Sequence, residues 1–187
     1  MSPTRMFRAV VRSLVLSALG CGGMEGEITG TDQVVLATAL DEAALERAAV
    51  AAVARYRAEF FTATPEPVPS KVAVQSRIRI WGSPATVAAY AQVNPNLQEA
   101  TARLSPGAVI VREILDAAGT VTKLTLIVQG SEGYAPEVGN LWFGVMRPDG
   151  RFLVDGGKQL SGRLAQCAGC HQGRAAAGYL FGVPPRP

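Results

Sequence analysis

The run Cys167-Ala168-Gly169-Cys170-His171 constrains this chain more than any other feature. Two thiols three residues apart fall on one side of a helical turn, and the residue after them brings an imidazole to the same side. This is the spacing at which a c-type haem is attached, by two thioether bonds to the porphyrin and an imidazole on the iron. Ala168 and Gly169 keep bulk away from the porphyrin edge. A bare Cys-x-x-Cys would also suit a disulfide, a redox pair or half of a zinc site. His171 is the only His in the chain, however, and with Cys167 and Cys170 it completes the Cys and His content after Cys21, one ligand short of a zinc tetrahedron. The expected cofactor is therefore one covalent haem c, bound by Cys167, Cys170 and His171, with His171 as proximal iron ligand. A non-haem protein with a Cys167–Cys170 disulfide is the alternative.

The N-terminus reads as an export signal. Arg5, Arg8 and Arg12 precede the apolar stretch 14–20, which ends at Cys21. Residues 1–20 are the expected signal peptide, with Cys21 lipidated as the new N-terminus of a bacterial lipoprotein; simple cleavage is the alternative. The stretch is too short for a permanent membrane span. Residues 22–33 form an expected flexible tether, which leaves 34–187 as one haem domain. The formal charge of +3 is accounted for by the three Arg of the signal, so the folded part has no basic excess and no nucleic-acid partner is expected. The expected location is the periplasm, held to the membrane by the lipid.

With 48% apolar and 18% charged residues, the bulk of the chain has what a packed core requires. From Asp41 the pattern is helical, with Leu45, Ala48, Ala49, Ala52, Val53, Tyr56 and Phe60 at three- and four-residue steps. Pro65, Pro67 and Pro69 predict a stiff connector. Alternation then predicts strands at 71–81, 108–115, 121–129 and 141–147, with a further short one at 152–154 and turns at 116–120 and 148–150. A short helix is expected around Pro84–Gln92 and another from Ser161 to about Tyr179. The fold class is α+β: a mainly antiparallel sheet, an N-terminal helix and a short C-terminal helix carrying the cysteines.

The order of several short segments resembles the cytochrome P-460 and cytochrome c′-β family. They are Ser105-Pro106-Gly107-Ala108-Val109-Ile110-Val111-Arg112-Glu113-Ile114, Gly133-Tyr134-Ala135-Pro136-Glu137-Val138-Gly139-Asn140, Arg147-Pro148-Asp149-Gly150, the Cys/His motif and Gly178-Tyr179-Leu180-Phe181. The resemblance runs from about Val72 to Gly182. It implies a β-rich fold, a five-coordinate haem, a homodimer, and either binding of nitric oxide or carbon monoxide or oxidation of hydroxylamine. The enzymatic branch carries a Lys bonded to the haem ring between the first strand and the Pro106-Gly107 strand. Here 82–107 holds no Lys, and Lys71, Lys123 and Lys158 lie elsewhere. The resemblance therefore implies the gas-binding branch, with a small gaseous or nitrogenous ligand and a redox partner protein.

Position in the chain agrees. Only 16 residues follow His171, and none is Met or His, so a sixth iron ligand would have to come from further upstream. Met146 is the candidate for an electron carrier, with core packing as its other reading. Glu113 is the candidate proton acceptor for a hydroxylamine- or peroxide-handling enzyme, with a salt bridge or rim position as the alternative. It neighbours Arg112 on a strand, so one of the two is expected to point inward. Arg77 and Arg79 suit the haem propionates or a solvated face. Trp81, Trp142 and Phe143 suit the pocket wall or ordinary core.

Overall fold

Asp41 starts the first helix: its carboxylate accepts from the Ala44 amide at 2.7 Å and caps α1, Glu42–Glu59. Leu45, Ala49, Ala52 and Tyr56 form its buried stripe, as the periodicity predicts. The computed structural model describes residues 39–70, 76–93 and 103–183, all within one unit spanning 37–187. The expected signal 1–20, Cys21, the tether 22–33, and Lys71, Val72 and Val74 lie outside the described residues.

After α1 come two short strands, β1 (Phe61–Thr62) and β2 (Val68–Pro69), then β3 (Arg77–Gly82), α2 (Pro84–Ala91), β4 (Val109–Leu115), β5 (Val121–Gln129) and β6 (Leu141–Met146). A two-stranded ribbon of β7 (Val154–Asp155) and β8 (Lys158–Gln159) leads to β9 (Ser161–Gly162) and α3 (Ala165–Gln172). The main sheet is antiparallel throughout, in the order β1-β3-β4-β5-β6-β9, with β2 also paired to β3. The β4–β5 hairpin closes where expected, with the Gly119 amide donating to the Asp116 carbonyl at 3.1 Å. The architecture is α+β with a mainly antiparallel sheet.

Two segments differ from expectation. The proline-rich connector contributes β2, and Pro69 is tolerated there because β2 lies at the margin of the sheet, where a missing amide breaks no inner ladder. The helical stretch expected from Ser161 begins only at Ala165, because Ser161 and Gly162 pair with Gly144 and Phe143 on β6. Among the described residues no helix is long and apolar enough to cross a membrane.

Strand alternation gives the sheet two distinct faces. On one, Leu45, Ala49, Ala52 and Tyr56 of α1 pack on Val109, Val111, Leu124, Leu126, Val128, Trp142 and Met146. On the other, Ile78, Ile80, Ile110, Ile114 and Phe143 face α2, α3 and the C-terminal turns. Both faces are covered, so β4 is buried almost end to end. A central strand with two covered faces buries Glu113 fully and leaves Arg112 half-buried. The expectation that one of the two points inward is met by Glu113, on the α1 face, while Arg112 faces the opposite side.

Candidate functional site

Cys167 and Cys170 lie on successive turns of α3, half-buried and exposed respectively, and are not bonded to each other. With His171 they form part of the wall of a cavity of about 410 Å³ on the α2/α3 face of the sheet. The remaining wall is largely apolar: Ile78, Ile80, Ile110, Ile114, Ile127 and Phe143 contribute from the strands. Burial pushes the Cys167 thiol up from its ordinary value, and the neighbouring Cys170 adds to this. Cys167 is therefore a neutral thiol at neutral pH.

His171 is held in one orientation. Its Nδ1 lies 2.6 Å from the Tyr179 carbonyl. A carbonyl only accepts, so Nδ1 carries the proton and the lone pair of Nε2 is left for another partner. The ring is flanked by Phe143, with centroids 5.0 Å apart, and by the edge of Phe181 at 4.9 Å. Burial lowers the imidazole from its ordinary 6.5; the Tyr179 carbonyl opposes this and the Arg112 charge reinforces it. A neutral imidazole with a fixed tautomer and a free Nε2 is the form that ligates a metal. The backbone after α3 makes this geometry. Gly178 and Tyr179 both have positive φ, 67° and 63°, which turns the chain back so that the Tyr179 carbonyl meets His171. The Tyr179 ring lies against Gly139, where an added Cβ would run into it.

The donor set fits a covalent haem: two thiols and one oriented imidazole on an apolar cavity wall, all on the same short helix. Cys167, Cys170 and His171 are the residues that would hold it. Among the described residues no three His, Cys, Asp or Glu side chains gather as a metal-ion site of the ordinary kind.

Other candidates fall elsewhere. Glu113 lies on the α1 face, fully buried, and accepts from the Tyr56 hydroxyl at 2.8 Å and from the Arg57 Nη2 at 2.8 Å. Arg79 stands 3.5 Å from its other oxygen. Burial alone would raise this carboxyl; the Tyr56 hydroxyl, the nearby Trp81 indole and the Arg57 guanidinium outweigh it and hold the group below its ordinary range. The sheet separates Glu113 from the cavity, so it cannot be the proton acceptor there. Arg79 is taken by the same cluster, and Arg77 donates to the Pro67 carbonyl at 2.6 Å, so neither serves the cavity. Met146 is fully buried under α1, on the face away from His171, which leaves the core-packing reading. Of the three aromatic candidates, Phe143 lines the cavity, whereas Trp81 and Trp142 pack on the α1 side.

Two cavity residues escaped the sequence reading. Arg112 alternates with Ile110 and Ile114 and so faces the cavity. Lys123 on β5 also belongs to its wall. The available signal was a single cation inside the aliphatic run Ala108–Leu115, on a strand with no polar face to put it on.

Neither family models, nor curated proteins, nor solved structures match the chain.

Proposed function

We propose that this chain is an exported monohaem c-type cytochrome that binds a small gaseous ligand such as nitric oxide or carbon monoxide at an open iron position. The observation that carries the reading is His171: a half-buried, neutral imidazole whose Nδ1 proton is spent on the Tyr179 carbonyl, on one helix with both thiols and facing an apolar cavity. Bound haem supplies an iron that takes up a diatomic ligand or an electron. The chain's own residues attach the ring through Cys167 and Cys170, present Nε2 of His171, and exclude water with a wall of isoleucines.

Among the described residues the wall holds no Met and no second imidazole, which supports a vacant sixth position over a six-coordinate carrier. The placement of Glu113 removes the proton acceptor from the hydroxylamine-oxidising alternative. The resemblance to the cytochrome P-460 and cytochrome c′-β family points the same way. The location is the periplasmic side of a bacterial membrane, anchored through Cys21, with a redox partner protein and a second copy of the chain as partners.

The test is an absorption spectrum of protein made in a host with working cytochrome maturation, together with the mass of the peptide containing Cys167 and Cys170. The peptide should gain the mass of one haem, and the reduced protein should be high-spin and shift on adding carbon monoxide. His171→Ala should abolish the native spectrum. Colourless protein with both thiols free or joined, or a low-spin spectrum indifferent to carbon monoxide, refutes the reading.

A further inference from the structure

Arg112 presents a puzzle that the attachment site does not explain. It sits in the middle of β4, opposite Ile80 on β3 and Thr125 on β5, with its side chain on the cavity face. Its Nη2 donates to the Ser70 hydroxyl at 3.2 Å, while its Nε is buried without a partner. Among the described residues no carboxylate stands within ion-pair reach. The nearby Tyr90 hydroxyl is no substitute, because burial raises it to about 12 and it stays neutral. Partial burial lowers the Arg112 guanidinium, with Tyr90 opposing this.

A guanidinium nitrogen shielded from water with no partner is unfavourable. The opposite face of the same sheet shows the ordinary solution, with Glu113 matched by Tyr56, Arg57 and Arg79. On the cavity side the described residues of the wall include Arg112 and Lys123 and no acid. Lys123 pairs in register with Ile114, so its Cα is one step of same-face alternation from Arg112 across the β4–β5 ladder. A half-buried guanidinium with an exposed Lys beside it, and no acid among the described wall residues, favours an occupant with negative charge, and a guanidinium fork suits a carboxylate or a small oxyanion.

We propose that Arg112 holds an anionic group of whatever fills the cavity, with Lys123 as the second cation of the same wall. This rests on the haem reading, and the anion has two sources: a carboxylate of the porphyrin itself, or a free anion bound at the iron. Either way Arg112 selects for negative charge in a cavity that is otherwise built for neutral, apolar matter.

The experiment compares the haem-bearing protein with its Arg112→Met and Arg112→Lys variants. The oxidised forms are titrated with nitrite and azide, the reduced forms with carbon monoxide as a neutral control, and the midpoint potential is followed against pH. If the anion is free, Arg112→Met weakens nitrite and azide by about tenfold or more, equivalent to about 1.4 kcal/mol, and leaves carbon monoxide binding unchanged. If the anion is a porphyrin carboxylate, azide and nitrite affinities hold while the pH profile of the potential shifts. In both cases Arg112→Lys, which keeps the charge but loses the fork, gives a smaller change in the same direction, and it carries the test if the Met variant does not accumulate. The proposal is overturned if anion affinity and the potential profile both stay at wild-type values, or if carbon monoxide binding falls as far as anion binding. The haem reading fails separately, on the mass of the Cys167–Cys170 peptide.

Discussion

The two faces of the central sheet treat buried charge in opposite ways. Under α1, a carboxylate with no exposure is surrounded by donors, and the space around it is filled by Tyr56, Trp81 and aliphatic side chains. On the other face, a half-buried guanidinium is given one hydroxyl and left beside a cavity. Glu113 and Arg112 are adjacent on one strand, so the contrast comes from what each face packs against and not from local sequence. A buried charge met by opposite charges is part of the scaffold; one with no opposite charge beside a cavity points to something that binds there.

Mutations on the two faces should therefore behave differently. The largest effect is expected from Trp142→Ala. Trp142 is fully buried in the helix-covered face, and removing it should cost about 3–5 kcal/mol in urea unfolding, because that core cannot collapse into the hole. Ile127→Ala, which borders the cavity and is only half-buried, should cost about 1–2 kcal/mol. Equal losses at the two positions would break the contrast between a closed face and an open one.

Next in size is Glu113→Gln. It should lose about 2–3 kcal/mol at neutral pH, less than a fully enclosed pair would, because the Arg57 guanidinium is largely exposed and stays hydrated. The folded carboxyl lies below its ordinary 4.5, so its stabilisation is present above that value and disappears as pH falls through the folded value. Wild type and variant should therefore converge in acid unfolding experiments. The carbon monoxide spectrum of the variant should match wild type; a changed spectrum would return Glu113 to the cavity.

The smallest effect is expected from Met146→Leu. A volume-conserving exchange in a buried position should cost less than about 1.5 kcal/mol and leave the haem spectrum as it was. Loss of a low-spin component in this variant would mean that the thioether reaches the iron, against its placement under α1.

Most elements were legible in the sequence because their causes are local. The three-to-four spacing from Leu45 to Tyr56, the cap at Asp41 and the alternation across 121–129 gave α1 and β5 directly. The edge strand at Pro69 and the switch from β9 to α3 were not legible, since each depends on a partner strand distant in the sequence. Among the site residues, Cys167, Cys170 and His171 could be named from their spacing, whereas Met146, Glu113, Arg77 and Arg79 were plausible by type and lie where they cannot serve the cavity.

What the sequence determined by itself is the meeting of two thiols and an imidazole, because within five consecutive residues they are brought together by one turn of helix whatever surrounds them. What only the tertiary structure decided is which side of the sheet each remaining group faces and whether it finds a partner there. Alternation along β4 says that Arg112 and Glu113 point opposite ways. It does not say that α1 brings Tyr56 and Arg57 to Glu113 while the cavity leaves the Arg112 Nε with nothing, because those neighbours come from segments up to 57 residues away.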